Sequence, residues 1–335
     1  MSTSTHAREP TWAGLSPGLP RWQPADPADA RIVQVAGLDG RLLAQVPGSG
    51  ASAGLYRLER DGALPLFLKK AGADRRALLQ MAEALARWLD ARGVSVATAL
   101  AGFPLLLPDG ALLVAMPYVD GRRVAAEAGD LAALGRSLRT LHEALSSHPD
   151  VEAWRAATRA RLDRLQATRA ALAEGRLAAG PDHARLARLA AEPELDFVDA
   201  GAHWQPLHGD LNPGNVLMAA DTPVLLDFED VPHSMHPPIA ELCLAVERFV
   251  LAQVANEDEA LRLGRVLVDN YGSPARQGSG MSPTNVLRSR ALRSLSLLAD
   301  AERAGVRISE AEWRKFFDLE QMASSRAATL EAVFR

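Results

Sequence analysis

A chain of 335 residues exceeds the usual length of one domain, so the sequence allows one large two-lobed domain or two ordinary ones. Hydrophobic residues make up 48% and charged residues 23%, which excludes an intrinsically disordered chain and predicts independent folding. A formal net charge of -4 at pH 7 provides no broad basic field, so neither nucleic acid nor a membrane surface is expected as a partner. A small-molecule ligand is favoured instead.

The sequence carries no signal for export or membrane insertion. The N-terminus lacks the basic stretch and apolar run of a signal peptide, and no stretch reaches the roughly 20 apolar residues of a membrane span. The single cysteine, Cys243, has no disulfide partner in the chain and is predicted to be a buried thiol on an apolar helix. These observations predict a cytoplasmic protein, either a monomer or a homodimer.

The first third of the chain predicts a tail and a small antiparallel sheet. Residues 1–28 are rich in Pro, Ser, Thr and Asp without periodicity, which indicates a tail or a surface strap. A nucleotide-binding lobe is predicted over residues 29–116, where Gly, Pro and Asp turns separate short apolar runs, at 32–35, 42–46, 55–58, 64–68 and 112–116. One helix interrupts the runs, with apolar residues at helical spacing over residues 74–92 and Gly93 as its stop.

The rest of the chain predicts a larger, mostly helical lobe over residues 122–335, joined through a hinge at 117–121. Helical periodicity is clear at 131–146, 151–174 and 182–191, and helices resume from about residue 238. Two short apolar runs around an Ala-Asp-Thr turn, at 215–218 and 223–228, predict a β-hairpin. The predicted fold class is α+β, with two lobes and a hairpin in the helical lobe.

A polar segment and the predicted hairpin together indicate phosphoryl-transfer chemistry. The segment LHGDLNPGNVL at 207–217 is followed by LLDFED at 225–230, which places Asp210, Asn215 and Asp227 at the ends of one hairpin. Phosphoryl transfer needs a base or orienter for the attacking hydroxyl and oxygen ligands for Mg²⁺, and two carboxylates and an amide supply these. The alternative is a polar turn, since Asp, Asn, Pro and Gly dominate turns. The second acidic segment, LLDFED at 225–230, favours a phosphoryl-transfer site over a simple polar turn.

These residues resemble the aminoglycoside phosphotransferase and choline kinase family, which has a protein kinase-like fold. The family signature is His-Gly-Asp, a few residues, Asn, and then Asp-Phe or Asp-Trp, and the resemblance covers roughly residues 40–250. It implies an ATP- and Mg²⁺-dependent phosphotransferase. By this resemblance Asp210 accepts or orients the proton of the substrate hydroxyl, and His208 braces the catalytic loop. Asn215 and Asp227 are implied to hold Mg²⁺.

Upstream segments fit the nucleotide site that the resemblance implies. The small residues PGSGASAG at 47–54, with Gly48, Ser49 and Gly50, suit a loop folding over the phosphates of ATP, because small residues let backbone N–H groups approach. A Gly/Ser hairpin turn is the alternative. In the resemblance, Met116 lines the adenine pocket, the Pro117 carbonyl accepts from the adenine amino group, and the Val119 N–H donates to the ring. A generic strand end is the alternative for these three residues.

A lysine in the small lobe is implied to reach the α- and β-phosphates. Strand alternation puts Lys69 and Lys70 on opposite faces, and the family pattern places the lysine directly after the leucine of FLK at 67–69, which selects Lys69. A solvated charge at a strand end is the alternative. Glu83, on the following helix, is the best candidate for the partner of Lys69, and a plain surface Glu is its alternative.

The acceptor is predicted to be a small hydroxylated molecule of the aminoglycoside, amino alcohol, homoserine or sugar type. Protein Ser/Thr kinases commonly carry Lys where this chain has Asn212, and residues 231–238 are too short for an activation loop. Two alternatives stay open: a nucleotide-binding pseudokinase or regulator, and a protein kinase of the bacterial stress-response type. An acidic wall for a cationic acceptor or solvated helix faces would explain the acidic residues of the later helices, Glu241, Glu247, Glu257, Asp258 and Glu259.

The sequence departs from the family pattern at two places, and one histidine lies near the end of a predicted helix. Glu241 stands where the family usually has Asp before a helix, which puts the hydrogen bonds that brace the catalytic loop in doubt. Residues 94–97 stand where the family often has prolines, and only strand geometry is expected to change. His142 ends a Leu-His helix motif and is expected to have a packing role, because nothing pairs it with a metal or nucleophile.

Overall fold

The structure is a computed structural model of the chain, and it describes residues 21–46, 54–196, 204–272 and 282–335. The small lobe is a six-stranded antiparallel sheet with strand order β1-β2-β3-β4-β6-β5. Its strands are β1 (Trp22–Pro24), β2 (Arg41–Gln45), β3 (Gly54–Arg60), β4 (Ala63–Ala71), β5 (Leu105–Leu106) and β6 (Leu112–Pro117). Its helices are α1 (Pro27–Val35) and α2 (Arg76–Asp90).

Helix α1 corrects one strand prediction and shortens the predicted tail. The apolar run at 32–35, predicted as a strand, is the last turn of α1, because the Asp26 side chain caps the helix by accepting from the Ala28 N–H at 2.8 Å. Pro27 occupies the first turn, where its missing N–H costs nothing. Ile32 and Val33 are buried on the small-lobe core. The sheet itself begins at Trp22, inside the predicted tail.

Helix α2 follows a 3₁₀ turn and connects the lobes through its buried face. Its apolar residues recur at helical spacing, and Gly93, at φ +77°, ends the chain's helical course in a conformation that suits glycine. Leu85 and Leu89 belong to the same hydrophobic cluster as the core of the large lobe. The two lobes therefore share apolar packing in addition to the hinge.

The large lobe is mostly helical, as predicted. Its helices are α3 (Ala128–Ser146), α4 (Val151–Ala173), α5 (His183–Ala191), α6 (Ile239–Val246), α7 (Glu257–Tyr271), α8 (Pro283–Arg303), α9 (Glu310–Ser325) and α10 (Ala327–Val333). One turn of π-helix, Glu247–Leu251, continues α6. Within the described ranges, no helix is both long and apolar enough to cross a membrane. Cys243 is a buried thiol of α6, as expected.

Short strands in the large lobe hold the polar segments in place. They are β7 (Arg122–Arg123), β8 (Gln205–Pro206), β9 (Val216–Ala219), β10 (Thr222–Leu225) and β11 (Met235–His236). Strands β9 and β10 form the predicted hairpin, and β7 pairs with β9 on its other side. The segment at 94–97 pairs with this hairpin, since Val96 bridges Leu225 in parallel and the Leu225 N–H donates to the Ser95 carbonyl at 3.0 Å. The expected two-lobed α+β fold class is confirmed.

Candidate active site

The loop between β8 and β9 presents Asp210 in a fixed orientation. The Asn215 amide donates to the Asp210 main-chain carbonyl at 2.9 Å and to Asp210 Oδ2 at 3.2 Å, and the Asn212 amide donates to Oδ2 at 3.0 Å. Gly209, at φ +88°, precedes Asp210, and a Cβ there would lie 2.1 Å from the Ser234 hydroxyl oxygen. Only glycine fits this turn, which aims the Asp210 carboxylate outward with 47% of its side chain exposed.

The charge environment keeps Asp210 ionised. Desolvation alone would raise the pKa of Asp210, but the nearby charges of Arg248 and Arg290 and the hydrogen bond from Asn212 hold it below its ordinary value. A carboxylate with a lowered pKa is ionised at neutral pH and can accept a hydrogen bond from an incoming hydroxyl.

Asp227 lies at the other end of the hairpin, facing the small lobe. The Leu226 N–H donates to the Asn215 carbonyl at 2.9 Å, which ties the two ends of the hairpin together. Asp227 adopts φ +62°, an uncommon conformation for a residue other than glycine. Lys69 Nζ, from β4, lies 3.4 Å from both carboxylate oxygens of Asp227. The structure thus brings together four of the predicted site residues, Lys69, Asp210, Asn215 and Asp227.

Glu229 also contacts Lys69, and it is a residue that the sequence analysis missed. Its carboxylate accepts from Lys69 Nζ at 2.6 Å and also pairs with Arg75. One carboxylate of the large lobe therefore binds two cations of the small lobe. The charge of Lys69 overcomes the desolvation of Glu229 and lowers its pKa. The acidic segment DFED at 227–230 was the available signal, since it places a further carboxylate beside the predicted metal ligand.

The expected ion pair between Lys69 and Glu83 is not formed. Glu83 is buried on α2, where burial raises its pKa and the Ala99 N–H donates to its carboxylate. Lys69 instead pairs with Glu229 and Asp227, which the hairpin holds closer. Lys70 points to the other face, as alternation predicts, and pairs with Asp109 at 2.8 Å.

A buried chain of hydrogen bonds braces the loop from behind. Glu241, fully buried in α6, accepts from the main-chain N–H groups of His208 at 3.0 Å and Gly209 at 2.7 Å. Its carboxylate also lies 2.8 Å from His142 Nε2, and His142 Nδ1 lies 2.9 Å from the Tyr271 hydroxyl. Although burial opposes ionisation, His142 and the backbone donors lower the pKa of Glu241 to about 2.

The sequence departure at residue 241 therefore preserves the bracing instead of removing it. Glu241 supplies the hydrogen bonds whose presence was in doubt. His142 is buried, as expected of a packing residue, and is in addition a member of this chain of hydrogen bonds. His208 is buried as well, and its Nε2 donates to the Leu226 carbonyl at 2.8 Å, which links the catalytic loop to the segment before Asp227.

The predicted nucleotide contacts are described only in part. Gly48, Ser49 and Gly50 lie outside the described residues. Met116 and Pro117 end β6, and Met116 packs partly buried against the sheet. In the described part of the chain the Val119 N–H has no hydrogen-bond partner, whereas the neighbouring Tyr118 N–H donates to the Pro65 carbonyl at 3.0 Å.

The donor set at the hairpin suits a hard cation. The Asn215 amide donates through its nitrogen, which leaves its oxygen without a hydrogen bond among the described residues, and Asp227 offers a carboxylate. Oxygen ligands of this kind are those Mg²⁺ prefers. In the part of the chain that the structure describes, no group of three or more His, Cys, Asp or Glu could hold a metal ion. A cation here would therefore need further oxygen ligands, such as phosphates.

The acidic residues of the later helices fall into two groups. Glu241 and Glu247 are fully buried, and Glu241 is committed to the loop. Glu257, Asp258 and Glu259 lie in the first turn of α7 at the surface, where Glu257 pairs with Arg326 and Glu259 pairs with Arg262 on its own helix. The five carboxylates therefore do not form one continuous acidic wall.

The fold has two lobes, and the sheet of the small lobe places Lys69 beside Asp227, near the loop that holds Asp210. This arrangement is typical of kinase-like phosphotransferases. The chain belongs to the phosphotransferase enzyme family, whose model matches residues 44–274, well over half of its length. Among curated protein sequences, none matches the chain significantly.

Solved structures with a similar fold include three small-molecule phosphotransferases. A spectinomycin phosphotransferase in complex with ADP and spectinomycin is 14% identical, with a TM-score of 0.60 over 91% of this chain and 99% of that one. The choline kinase LicA from Streptococcus pneumoniae is 13% identical, with a TM-score of 0.58 over 90% and 100% of the two chains. An amicoumacin kinase in complex with AMP-PNP, Ca²⁺ and Ami is 17% identical, with a TM-score of 0.55 over 83% and 87%. At these identities the likeness concerns the fold.

Proposed function

We propose that this protein transfers the γ-phosphoryl group of ATP to a hydroxyl group of a small molecule. The observation that carries the proposal is the approach of Lys69 from the small lobe to within 3.4 Å of Asp227, beside a loop that orients Asp210. Membership of the phosphotransferase family and the nucleotide complexes of two similarly folded proteins support it.

The nucleotide is proposed to bind between the lobes. Residues 29–116 form the nucleotide-binding lobe, residues 117–121 the hinge and residues 122–335 the catalytic lobe in this proposal. The Val119 N–H, which has no partner among the described residues, and the Pro117 carbonyl would bind adenine beside Met116. Lys69 would exchange its contact with Glu229 for the phosphates. The loop with Gly48, Ser49 and Gly50 would cover them.

Asp210 is proposed to receive the hydroxyl proton of the acceptor. The acceptor oxygen forms a bond to the γ-phosphorus while the bond from that phosphorus to the bridging oxygen breaks, and ADP leaves. Asp210 Oδ1 carries no hydrogen bond from the two asparagines that hold Oδ2, so it is the oxygen available to the hydroxyl. His208 holds the loop in place through its hydrogen bonds to the Leu226 carbonyl after the hairpin and to Glu241 of α6.

Asn215 and Asp227 are proposed to hold Mg²⁺. When bound there, the ion would neutralise the negative charge that the phosphates bring to this site. Their oxygens suit the ion, while Lys69 provides a fixed positive charge on the same carboxylate.

The other candidate functions receive less support. The pseudokinase alternative drew on Glu241 and on the uncertain Glu83. Glu241 supplies the loop-bracing hydrogen bonds, and Lys69 pairs with Glu229 and Asp227 in place of Glu83. The protein kinase reading needs a docking platform after Asp230. Residues 231–238 instead form a 3₁₀ turn at Val231–His233 and the short strand β11, which leaves no extended activation loop.

Replacement of Asp210 by Asn tests the proposal. We expect Asp210→Asn to lower kcat by about 10² or more in an acceptor screen that measures ADP formation from ATP, because a positioned base contributes on this scale. The exposed Asp221→Asn, in the turn of the same hairpin, should keep wild-type activity. Transfer by Asp210→Asn at the wild-type rate would refute the assignment of Asp210. Stabilisation by Mg²⁺ and ATP, with no transfer to any acceptor by the wild type, would favour the nucleotide-binding regulator.

A further inference from the structure

Four arginines from three elements surround the catalytic loop. Arg290 and Arg293 extend from α8, Arg161 from α4 and Arg248 from the π-helical turn. Arg290 donates to the Gly209 carbonyl, next to Asp210. Arg248 Nη1 lies 4.0 Å from Asp210 Oδ1, and the Arg248 side chain is 9% exposed. These four residues are called the arginine cluster below.

Arg293 and Arg161 extend the cluster away from the base. Arg293 donates to His236 Nε2 at 2.6 Å, and burial keeps the pKa of His236 well below its ordinary value, so the ring accepts as a neutral group. Desolvation and the charges of Arg290 and Arg161 lower the pKa of Arg293 to about 9. Arg293 therefore remains a cation at neutral pH, close to two other cations.

The arginine cluster differs from most of the other partly buried arginines by having no hydrogen-bonded carboxylate among the described residues. Among the residues that the structure describes, no member of the cluster donates a hydrogen bond to an acidic side chain, since the distances from Arg248 to Asp210 and Glu247 are 4.0 Å and 3.9 Å. Elsewhere such pairs are the rule, as in Arg75 with Glu229, Arg169 with Asp196, Arg185 with Glu320 and Arg288 with Glu192.

The carboxyl groups that face the cluster do not balance its charge. Asp210 and Asp230 are near enough to interact with Arg290. Burial raises the pKa of Glu247 to about 8, so this group is protonated and neutral at pH 7. Glu241 is ionised and also acts on Arg290, but its oxygens are occupied by His142 and the loop N–H groups. Four guanidinium groups thus face three carboxylates, and each guanidinium has five N–H donors to satisfy.

We propose that the phosphoryl acceptor is itself an anion, a hydroxyl compound whose carboxylate or phosphate group binds Arg161, Arg290 and Arg293 while its hydroxyl faces Asp210. This inference rests on the proposed function and names the acceptor class of the same site. Guanidinium groups match the oxygens of both anions through paired hydrogen bonds, and an anion at this position supplies the acceptors that the cluster lacks. The cationic acceptor considered from the sequence is disfavoured by the same charges.

A set of compounds with one carbon skeleton separates charge from shape. Glycerol, 3-amino-1,2-propanediol, glycerate and glycerol 3-phosphate share three carbons and hydroxyl groups but are neutral, cationic or anionic. Binding is measured by calorimetry on the full chain saturated with Mg²⁺ and AMP-PNP, so that the phosphate compound cannot occupy the nucleotide site. We expect at least one anion to bind ~10-fold or more tightly than glycerol, since charge-assisted hydrogen bonds contribute on this scale. The preferred anion identifies the recognised group as carboxylate or phosphate.

Variants of the cluster connect the preference to its residues. The double variant Arg161→Met, Arg293→Met should lose the preference for anions, with affinity falling ~10-fold or more. Arg293→Lys keeps the positive charge but removes the planar guanidinium, so it should lose part of the preference for anions. Arg303→Met is the control, because Arg303 is exposed in the last turn of the same helix, where it pairs with Asp300.

The outcomes distinguish this inference from the proposed function. If the four compounds bind the wild type equally, or not at all, while AMP-PNP still binds, the anionic acceptor is refuted and the proposed function stands. An anion preference that survives in the double variant also refutes the assignment to the cluster. If AMP-PNP and Mg²⁺ do not bind the wild type, the proposed function is refuted, and the anionic acceptor that rests on it is refuted with it.

Discussion

Glu247 is a carboxyl group in the interior with no hydrogen bond to either oxygen among the described residues. It is fully buried at the start of the π-helical turn, and its closest charged group is Arg248 Nε at 3.9 Å. Desolvation outweighs the charges of Arg248 and Arg290 and raises the pKa of Glu247 to about 8. The folded protein therefore retains a proton that the unfolded chain releases at a much lower pH.

This retained proton makes stability depend on pH between the unfolded and the folded pKa of Glu247. A raised carboxyl pKa gives stability that is present below the unfolded value near 4.5 and is lost as pH rises through about 8. We expect the wild type to lose stability progressively between pH 5 and pH 8, by at most ~5 kcal/mol. Glu247→Gln, which mimics the neutral acid, should be flatter over this range in urea unfolding series. Parallel pH profiles for both proteins would contradict the retained proton.

At the scale of single residues, the sequence located the motif residues of the candidate active site better than the residues that surround them. Asp210, Asn215 and Asp227 carry a motif with fixed spacing, so their proximity could be predicted. Glu229 and the arginine cluster could not be assigned, because their roles depend on side chains that are distant in sequence. The partners of Glu229 come from the small lobe, and the cluster comes from three elements of the large lobe. Glu83 was assigned to Lys69 from its place on α2, yet the hairpin carboxylates lie closer to that lysine.

Helices α3 and α7 pack unusually closely around one glycine. A Cβ on Gly135 of α3 would lie 2.3 Å from the Leu267 carbonyl oxygen and 3.1 Å from the Tyr271 nitrogen, both main-chain atoms of α7. Main chain cannot move aside as a flexible side chain can. This close approach also sets the spacing between His142 of α3 and Tyr271 of α7, whose side chains lie 2.9 Å apart in the loop brace.

Replacement of Gly135 by Ala should therefore destabilise the protein despite the higher helix propensity of alanine. The propensity gain is about 1 kcal/mol, and we expect the forced separation of the helices to outweigh it for a net loss of about 1–3 kcal/mol in urea unfolding. Gly129→Ala is the matched control in the same helix, where a Cβ meets nothing within 4 Å, and it should stabilise. A stabilised Gly135→Ala would show that the helices can separate freely.

At the scale of elements, periodicity predicted the long helices and the hairpin but not α1. The run at 32–35 is apolar and β-branched enough to indicate a strand, and its helical state depends on the cap at Asp26 and on packing against the sheet. Boundaries of α3 and α4 follow from their own sequences. The π-helical turn after α6 leaves no clear periodic signal, because it adds one residue to a single turn and the apolar residues on both sides are buried.

The two lobes are joined by apolar packing and by ion pairs through Glu229. Leu85 and Leu89 of α2 lie in the large-lobe cluster, and Val96 pairs with Leu225 of the hairpin. Glu229 adds contacts to Lys69 and Arg75, with 9% of its side chain exposed. This shared core favours unfolding of both lobes in a single transition.

Glu229→Gln should lower the stability of the whole molecule. We expect a loss of about 2 kcal/mol, because the change removes the charged partner of two small-lobe cations. Far-UV circular dichroism and tryptophan fluorescence should report one common urea transition. Glu59→Gln, which removes an exposed pair with Arg41 at 2.7 Å in the small lobe, should change stability by less than about 0.5 kcal/mol. Separate transitions by the two probes would contradict the shared core.

The two-lobed arrangement itself could be predicted, because the strand-rich and helical parts of the chain are separated at one hinge. The contacts between lobes could not, since Val96 and Leu225 are distant in sequence and neither carries a pattern for pairing. The acceptor class was also beyond the sequence. Its acidic residues left an acidic wall and a solvated helix face open as alternatives. In the structure Glu241 and Glu247 are buried, whereas Glu257 and Glu259 stay at the surface in ion pairs.

The chain of hydrogen bonds from Tyr271 through His142 to Glu241 ends on the backbone of the catalytic loop. It takes its members from α3, α6 and α7, and none of them belongs to the arginine cluster. The position of the base is thus anchored on one side of the loop, while the acceptor is proposed to be selected on the other. Substitution of Arg161 or Arg293, neither of which donates a hydrogen bond to the loop backbone among the described residues, should therefore alter the choice of acceptor while the chain from Tyr271 to Glu241 still holds the loop in place.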